Sequence, residues 1–523
     1  MRKNTIWNSI LGVLYLMMLI GEAFAIVTII RLDMLPTGYL IALIGLLVLF
    51  GLVIGLLLFV KGKKPAKARR VIAAVLAILL LCGCTVLSTV ATDVRKTIQA
   101  TTRELFEIPT REIYVLAENP VQDLKETAGF TYGYVKNYDE SCTQQVFAEI
   151  RQQIDSEPVT AGFIDTVTMV RALLENRIDA IVLSGGIVDI LEDTEQFKDF
   201  SACVRVLDQI RVEEQEAFPE NVTIPAEETV PAESPIPGAP EETQPEQEAV
   251  DYTALEPFIV YVSGSDSYDT EIVKNGRSDV NILAVVNPMT KQVLLINTPR
   301  DYYVPNPAGK DEMDKLTHCG IYGSKNSMRA LSKLYGVDIE YFVRINFTGF
   351  KKLIDALGGI TVYSDYAFTA ITRTPIKEGE NQLDGQQALD FARERYTLKG
   401  GDSERGRHQM QVITAVIEKA TSGTTIISNY SDIMASVEGM FTMNLPSELI
   451  GDLMKMQLSD MARWNVASFS VTGEGANLEC YSLPGMLLSV TEPNKYSVSK
   501  ASRLIDMIFD GELLTEEVMS SIS

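Results

Sequence analysis

Three long apolar runs occupy the first 90 residues of the chain and predict three membrane-spanning helices. Residues 6–30 and 37–60 are each long enough to cross a hydrocarbon core of about 30 Å, and residues 71–90 form a third run. Because residues 61–70 are dense in cations, the positive-inside rule keeps this loop and the N-terminus in the cytoplasm. The chain after the third run then lies outside the cell, and residues 1–95 form a membrane anchor. In the alternative interpretation the first run is a cleaved signal peptide, but it lacks a clean small-residue cleavage site.

A second region, residues 104–210, alternates short apolar runs with segments whose apolar residues recur at helical spacing. The strand-like runs are 112–117, 132–135 and 180–183, and the helical segments are 143–154 and 166–175. This pattern predicts a small extracellular α/β domain, for which a ligand-sensing or partner-docking role and a spacer role both stay open. Residues 211–250 carry seven prolines and many glutamates but few large apolar residues, so they predict an extended acidic linker.

From Phe258 onward, apolar strands alternate with amphipathic helices almost to the end of the chain. The first three strands are 258–262, 280–286 and 293–298, and a late strand is 464–471. The predicted helices are 327–335, 347–357, 385–394, 407–420, 431–440, 447–458 and 499–509. This alternation predicts the α/β fold class, with residues 251–523 forming an α/β/α sandwich around a central mixed sheet.

The composition argues against several functional classes. The chain has 523 residues and a formal net charge of -23, and no long basic stripe follows the membrane region, so nucleic acid is not an expected partner. With two histidines, His318 and His408, a histidine-based triad or a tri-histidine metal site is not expected. The cysteines lack the paired spacing of a zinc site. A disulfide between Cys142 and Cys203 stays open, as does the oligomeric state.

Charged residues stand where the first three strands of the C-terminal domain begin or end. Asp266 and Asp279 flank the connection between the first two strands, and Arg277 lies two residues before Asp279, on the same face by alternation. Arg300 and Asp301 directly follow the third strand, after a proline that ends the ladder. Converging carboxylates suit a hard cation such as Mg²⁺, and a guanidinium can hold a pyrophosphate oxygen. The alternatives are solvated loop carboxylates and a structural turn bridge between Arg300 and Asp301.

A second group of cations returns far downstream, beside a pair of glycines. Arg393 and Arg395 follow a helix and face the same way if that stretch is extended. The next charged and polar residues lie in a predicted loop that leads into the following helix; they are Asp402, Arg405, Arg407 and Gln409. Such runs are usually solvated helix faces, but cations crowded into a glycine-containing loop favour an anion site.

Five sequence blocks in the C-terminal half form one combined pattern. They are VSGSDS, GRSDVNILAVVNPMTKQVLLINTPRDYYV, KLTHCGIYG, YFVRINFTGFKKLIDALGGITV and LDGQQALDFARERYTLKGGDSERGRHQ. Together they resemble the LytR–CpsA–Psr family of cell-wall glycopolymer ligases, over about residues 258–509. The resemblance implies an extracytoplasmic, Mg²⁺-dependent phosphotransferase held in the cell membrane. Its donors would be polyprenyl-pyrophosphate-linked polymers such as teichoic acid or capsule polysaccharide, and its acceptor a sugar hydroxyl of peptidoglycan.

The resemblance also implies roles for individual residues. Asp266 and Asp279 resemble the metal-side carboxylates of the family. The residues that resemble its pyrophosphate clamp are Arg277, Arg300, Arg393 and Arg395, and those that complete the site are Asp402, Arg405 and Gln409. Thr317 and Ser324 depart from the family's usual asparagine and glycine near the site, which bears on the choice of donor or acceptor.

Phosphoryl transfer needs charge stabilisation and alignment more than covalent help, which fits these residue types. We expect Asp279 or Asp301 to take the proton from the attacking hydroxyl. Residues 342–350 and 353–357 are candidates for the wall of a lipid tunnel, or for ordinary core packing. Two other hypotheses stay open: a membrane-tethered receptor or attenuator that binds the lipid-linked polymer without turnover, and a polyprenyl-pyrophosphate hydrolase with water as acceptor.

Overall fold

The computed structural model describes residues 2–59, 66–101, 110–136, 140–212, 255–266, 276–398, 400–422, 433, 436–437 and 439–522. The chain divides into two compact units. The first joins Met1–Glu107 to Leu255–Ser523, and the second is Ile108–Ala254. The chain therefore leaves the first unit and returns to it after the second. The predicted linker beyond residue 212 lies outside the described residues.

Three long helices begin the first unit: α1 (Arg2–Leu32), α2 (Thr37–Phe59) and α3 (Ala66–Thr101). Their segments Ser9–Leu32, Thr37–Phe59 and Ala68–Lys96 are long and apolar enough to cross a membrane. Many large aliphatic side chains along all three helices are exposed, as contact with lipid requires. The three predicted apolar helices are confirmed, whereas their orientation across a membrane stays a prediction.

The second unit is a small α/β sheet structure of its own. Its described elements are β1 (Thr110–Leu116), β2 (Thr131–Val135), α4 (Glu140–Ile154), β3 (Val159–Phe163), α5 (Thr166–Leu174), β4 (Ala180–Leu183), α6 (Gly185–Glu192), α7 (Phe200–Cys203) and β5 (Val204–Arg211). The strands form one sheet in the order β3-β2-β4-β1-β5, and the sheet packs on α4 through a buried apolar core. Cys142 is buried and Cys203 is exposed, and no disulfide joins them in the described structure. The predicted role of this unit and its place outside the cell stay predictions.

The remainder of the first unit, from Leu255 onward, forms the C-terminal domain. Its strands are β6 (Phe258–Ser265), β7 (Val280–Asn287), β8 (Gln292–Asn297), β9 (Tyr303–Asn306), β10 (Glu312–Lys315), β11 (Tyr341–Asn346), β12 (Ile360–Ser364), β13 (Phe368–Thr369), β14 (Pro375–Ile376), β15 (Gly379–Leu383), β16 (Phe441–Met443), β17 (Asn465–Ser470), β18 (Gly473–Cys480) and β19 (Leu483–Pro493). Its described helices are α8 (Leu316–Cys319), α9 (Ser324–Tyr335), α10 (Phe347–Ala356), α11 (Gly385–Arg393), α12 (Asp402–Thr421), α13 (Ser447–Asp460), α14 (Lys495–Phe509) and α15 (Glu516–Ser521).

A mixed sheet in the order β16-β11-β6-β7-β8-β17 forms the centre of this domain. β6, β7 and β8 pair antiparallel, whereas β11 runs parallel to β6 and β17 runs parallel to β8. Alternate residues of these strands enter different cores. Tyr261 and Leu283 pack with α9 and α14 on one face, and Val260 and Leu295 pack with α12 and α13 on the other. Both faces are covered, which is why the strands read as unbroken apolar runs. The predicted sandwich with a mixed sheet is confirmed.

Helix α12 begins at Asp402, so residues that the sequence placed in a loop lie on its first turns. The preceding residue, Gly401, has a φ of 55°, which a glycine adopts without strain. Gly406 is buried where the helix crosses β8, and a Cβ there would lie 2.3 Å from the amide nitrogen of Asn297. The predicted loop before the helix was wrong because the residues around Gly406 are mostly charged, so the sequence pattern does not show that this face of the helix is buried.

Other differences from the sequence analysis have similar causes. Arg277 precedes β7 and is not on its face, because the strand begins only at Val280. The hairpin of β18 and β19 was not predicted, since both strands are half-exposed and lack a continuous apolar face. Half of the predicted helix 431–440 lies outside the described residues. Phe342 and Leu357, candidates for a lipid tunnel, are buried in apolar cores.

Candidate functional site

Two aspartates meet at the edge of the central sheet where β6 ends and β7 begins. Asp266 directly follows β6, and the backbone N–H of Asp279 donates to the carbonyl oxygen of Gly264 at 2.8 Å. Burial first, and the charge of Asp279 next, raise the pKa of Asp266 above its ordinary value. Two carboxylates therefore lie close enough to repel each other at one end of the sheet.

Asp279 is held by two donors but keeps one oxygen open. Arg300 Nη1 donates to Asp279 Oδ1 at 2.7 Å, and Thr317 Oγ1 approaches the same oxygen at 3.5 Å. The other oxygen, Oδ2, is buried and accepts no hydrogen bond from the described residues. A buried carboxylate oxygen without a donor is costly unless a ligand or an ion completes it.

Arginines from three separate parts of the chain surround Asp266. Arg393 Nη2 lies 3.6 Å from Asp266 Oδ1, and its guanidinium sits 4.2 Å from the centre of the Phe347 ring. The charges of Arg393, Arg277 and Arg300 lower the pKa of Asp266, against the larger effect of its burial. The ring of Phe347, the first residue of α10, fixes the position of one guanidinium by a cation–π contact.

The second predicted arginine of the downstream group lies at an exposed rim. Arg395 Nη2 donates to Tyr396 Oη at 2.5 Å, and its guanidinium lies 4.6 Å from the centre of the same ring. This hydrogen bond and charge lower the pKa of the Tyr396 hydroxyl, to which Arg300 and Arg405 also contribute. Arg395, Arg300 and Arg405 therefore share one region with Tyr396, a residue that the sequence analysis did not single out.

The carboxylate of Asp301 is closer to Lys315 than to Arg300, its expected partner in a turn bridge. Lys315 Nζ donates to Asp301 Oδ1 at 3.1 Å, while Arg300 Nε lies 3.9 Å from Asp301 Oδ2. Lys315 ends β10 and is the first residue of the KLTHCGIYG block, so the block includes Lys315 but gives no sign of its pairing with Asp301. The Arg300–Asp301 turn bridge proposed as an alternative is at most a long ion pair, because Arg300 makes its short contact with Asp279.

A family model for the LytR_cpsA_psr family matches residues 234–495, half of the chain. The chain belongs to this family. The polyisoprenyl-teichoic acid–peptidoglycan teichoic acid transferase TagU of Enterococcus faecalis is 35% identical over 211 residues, which are 40% of this chain and 67% of that protein. The protein of the same name from Bacillus subtilis (strain 168) is 29% identical over 239 residues, 46% of this chain and 76% of that protein.

Solved structures of similar proteins each cover about half of this chain. The crystal structure of B. subtilis TagU is 26% identical, covers 50% of this chain and 100% of that chain, and has a TM-score of 0.39. The crystal structure of B. subtilis TagV is 23% identical, covers 50% of this chain and 99% of that chain, and has a TM-score of 0.41.

The two residues that depart from the usual LytR–CpsA–Psr pattern occupy different places. Thr317 is buried and its hydroxyl faces Asp279, so this departure lies within the aspartate–arginine site. Ser324 is fully buried at the first turn of α9. The predicted effect on the choice of donor or acceptor therefore concerns Thr317 more directly than Ser324.

The first turns of α12 hold a second arrangement of charges. Glu404 accepts hydrogen bonds from the backbone N–H of Gly400 at 3.1 Å and from Tyr366 Oη at 2.8 Å. Arg407 forms ion pairs with Glu404 and with Asp365. The distance from Arg407 Nη1 to Asp365 Oδ2 is 2.8 Å. Arg407 thus fastens the segment after β12 to α12, whereas Arg405 belongs with the arginines around Tyr396.

Two further predicted residues lie on the same helix. Asp402 is its first residue, and the side chain of Asp402 lies outside the described residues. Gln409 is half-buried further along the helix. Their roles stay predictions.

Glu394 lies between Arg393, the last residue of α11, and Arg395. Its buried carboxylate accepts hydrogen bonds from the backbone N–H groups of Ile371 at 2.6 Å and Thr397 at 2.9 Å. Burial is the largest single effect and would raise the pKa of Glu394, but the hydrogen bonds together outweigh it and lower the pKa. The carboxylate therefore joins two loops and fixes the backbone that carries Arg393 and Arg395.

Proposed function

We propose that this protein transfers an anionic glycopolymer, such as teichoic acid or capsule polysaccharide, from a polyprenyl-pyrophosphate carrier to a sugar hydroxyl of peptidoglycan, outside the cell. A relative 35% identical is named a teichoic acid transferase, and the chain belongs to its family. The observation that carries the proposal is the meeting of Asp266 and Asp279 with Arg277, Arg300 and Arg393 at one edge of the sheet. That set of charges suits a pyrophosphate and a cation together.

Magnesium fits the donors that are present. Asp279 Oδ2 is a buried carboxylate oxygen that accepts no hydrogen bond from the described residues, and Asp266 is its near neighbour. Hard oxygen donors of this kind suit Mg²⁺, which usually takes one or two carboxylates together with phosphate oxygens. When bound by Asp266 and Asp279, the ion would supply positive charge to the pyrophosphate oxygens.

Besides the cation, the arginines of the site would stabilise the negative charge of the pyrophosphate. Arg300 and Arg393 are each held on one side, by Asp279 and by the Phe347 ring, and so are oriented before a substrate arrives. Guanidinium groups in such fixed positions stabilise the charge that develops on a phosphoryl group and on its leaving group. They would align the pyrophosphate so that the acceptor can attack in line.

The reaction breaks one phosphorus–oxygen bond and forms another. The acceptor hydroxyl oxygen attacks the phosphorus that bears the polymer, and polyprenyl phosphate leaves with the bridging oxygen. The hydroxyl proton passes to a carboxylate, for which Asp279 and Asp301 are the candidates. Asp301 accepts a hydrogen bond from Lys315 and Asp279 accepts one from Arg300, so each carboxylate is held in place by a cation. Asp301→Asn, which leaves the proposed magnesium carboxylates in place, would distinguish them: unchanged transfer would leave Asp279 as the base.

The deciding experiment supplies the purified full chain with a lipid-pyrophosphate glycan, peptidoglycan oligomers and Mg²⁺. Mass spectrometry then detects a phosphodiester-linked product. We expect product that disappears with a chelator, without acceptor and in Arg300→Ala. The matched control is Arg503→Ala, an exposed arginine on α14, which should retain transfer.

Two other outcomes would overturn the proposal. Release of polyprenyl phosphate in the absence of acceptor would identify a hydrolase that uses the same site. Tight binding of the lipid-linked polymer with no product in any condition would identify a receptor or attenuator.

A further inference from the structure

Helix α13 of the C-terminal domain contacts the membrane anchor. Lys455 on this helix places its ammonium 2.8 Å from Asp33 Oδ1, in the connection between α1 and α2, and 3.2 Å from Asp452 Oδ1. The Lys455 side chain is 7% exposed, although that of Asp33 is 78% exposed. A nearly buried ammonium on the domain is thus covered by a carboxylate of the anchor.

Two further contacts accompany this ion pair. Gly451, one turn before Lys455, lies so close to the anchor that a Cβ there would be 3.1 Å from the carbonyl oxygen of Asp33. Met34 and Val94, from the connection and from α3, are buried in an apolar cluster against which Met454 packs. The interface therefore combines an ion pair, a close backbone approach and apolar burial, which is more than a flexible tether needs.

The charges at this interface stabilise each other. Burial would lower the pKa of Lys455, but hydrogen bonds and charges from Asp33 and Asp452 outweigh it and raise the pKa. Asp452 belongs to the same helix, so Asp33 supplies the part of this stabilisation that crosses from the anchor to the domain.

The other faces of α13 pack on the layer that carries the arginines. Leu449 and Leu453 share a core with Met410 of α12, and Ile450 shares another with Val416 of α12 and Leu353 of α10. α10 begins at Phe347, whose ring holds the guanidinium of Arg393, and the first turns of α12 carry Arg405. Packed side chains therefore connect the anchor to Arg393 and Arg405, which are called the arginine cluster below.

We propose that α13 locks the C-terminal domain onto the end of the anchor where α1 meets α2, and so fixes the distance of the arginine cluster from the membrane surface. The lock selects donors whose polyprenyl chain is embedded in the same membrane, because only their pyrophosphate lies at that distance. Lys455 and Gly451 are positioning residues in this arrangement and have no contact role in the chemistry. This inference rests on the proposed function, which supplies the substrate.

The sharpest variant is Gly451→Leu in the full chain. Leucine is a better helix former than glycine, so α13 is retained, but the side chain meets the Asp33 carbonyl and displaces the anchor. A second, matched pair is Asp33→Asn and Asp452→Asn. Each removes one carboxylate from Lys455, and only the first breaks the bridge between the anchor and the domain.

The proteins are reconstituted in vesicles and given two donors with the same pyrophosphate–glycan head. One has a long polyprenyl chain embedded in the vesicle, and the other has a short, water-soluble chain. Since a small misplacement of bound groups lowers rates steeply, we expect Gly451→Leu to reduce transfer from the embedded donor about tenfold. Transfer from the soluble donor should stay within about twofold, and Asp33→Asn should show the same selectivity more weakly than Gly451→Leu but more strongly than Asp452→Asn.

Hydrogen exchange of the α13 amides provides a readout that does not depend on activity. Faster exchange in Gly451→Leu and Asp33→Asn, together with selective loss of the embedded donor, would support the lock. An equal loss with both donors, or no loss with either, would overturn it. If the wild-type chain transferred neither donor, the proposed function would fail, and unchanged α13 exchange in the variants would separately show that no lock exists.

Discussion

Two aspartates of the C-terminal domain, the half-buried Asp279 and the fully buried Asp314, have opposite surroundings. Asp314 Oδ1 accepts from His318 Nδ1 at 2.7 Å and from the Lys315 N–H at 2.8 Å. Its Oδ2 accepts from Asn306 Nδ2 at 3.1 Å and from both the N–H and the hydroxyl of Ser482. Asp279, in contrast, has one oxygen with no donor among the described residues.

The difference separates a structural carboxylate from one that is ready for a ligand. Asp314, His318 and Cys480 place their possible ligand atoms within 4.8 Å of one another, which by residue type alone resembles a metal site. The oxygens of Asp314 are nevertheless occupied by donors that join β9, β10 and the β18–β19 hairpin. Residue identity and proximity are therefore weaker evidence for a metal than an oxygen that lacks a donor.

Removing the carboxylate of Asp314, whose two oxygens both have donors, should have the largest effect on stability. Asp314→Ala leaves a buried histidine, amide and hydroxyl without their acceptor, and we expect a loss of about 3–5 kcal/mol in the free energy of unfolding. Denaturant unfolding followed by tryptophan fluorescence would measure it. The comparison variant is Lys333→Ala, which removes an exposed ion pair with Asp311 and should cost at most about 1 kcal/mol. Similar losses in the free energy of unfolding in both variants would show that Asp314 is no more important to stability than an exposed ion pair.

Substitutions at Asp279 and Arg300 should instead strongly reduce activity and leave the stability of the fold unchanged. We expect Arg300→Ala and Asp279→Asn each to lower transfer about 10²–10³-fold, because each removes charge that acts on the pyrophosphate. The unfolding midpoint should change little, and Mg²⁺ binding, measured by calorimetry, should weaken in Asp279→Asn. Asp338→Asn, an exposed aspartate after α9, serves as the matched control. Full transfer by both site variants would show that the site is wrongly assigned.

The pH dependence of stability sharpens the comparison further. Burial would raise the pKa of Asp314, but the charge and hydrogen bond of His318, with Ser482 and Asn306, hold it below its ordinary value. A carboxyl with a lowered pKa in the folded state contributes stability that is complete above its unfolded pKa of about 3.9. That contribution is lost as the pH falls below this value towards the folded pKa. Unfolding curves between neutral and acid pH should therefore converge for the wild type and Asp314→Asn; parallel curves would contradict the expectation.

The smallest effect is expected at the exposed rim of the site. Tyr396→Phe removes the hydroxyl that holds Arg395 but keeps the ring under its guanidinium. We expect transfer to fall by no more than about threefold, since the cation–π contact alone still orients the arginine. Steady-state kcat/KM would test it. A loss of a hundredfold or more would mean that the hydroxyl itself contacts a substrate.

The sequence was most informative where one physical signal dominated. The runs around Tyr261, Leu283 and Leu295 predicted the central strands, because burial on both faces leaves only apolar residues. The charged ends of these strands correctly indicated that Asp266, Asp279 and Arg300 would meet. Strand ends are fixed by the sheet, so residues beside them are brought together whatever the loops do.

Prediction failed where a contact partner is distant in sequence. Lys315 reaches Asp301 from another strand, and the ring of Phe347 reaches Arg393 from another helix. Neither pairing has a local signature in the sequence. The start of α12 was misplaced because its buried face depends on Gly406 meeting Asn297, a packing contact that charge patterning hides.

The path of the chain through its two compact units has a consequence for how this protein can vary. Ile108–Ala254 is inserted between two portions of one unit, and both of its ends are therefore tied to the anchored half of the molecule. An insertion of this kind can be exchanged or excised as a cassette without removing any residue of the first unit. Homologues with the same anchor and arginine cluster are thus free to carry a different module, or none, at this one point of the chain.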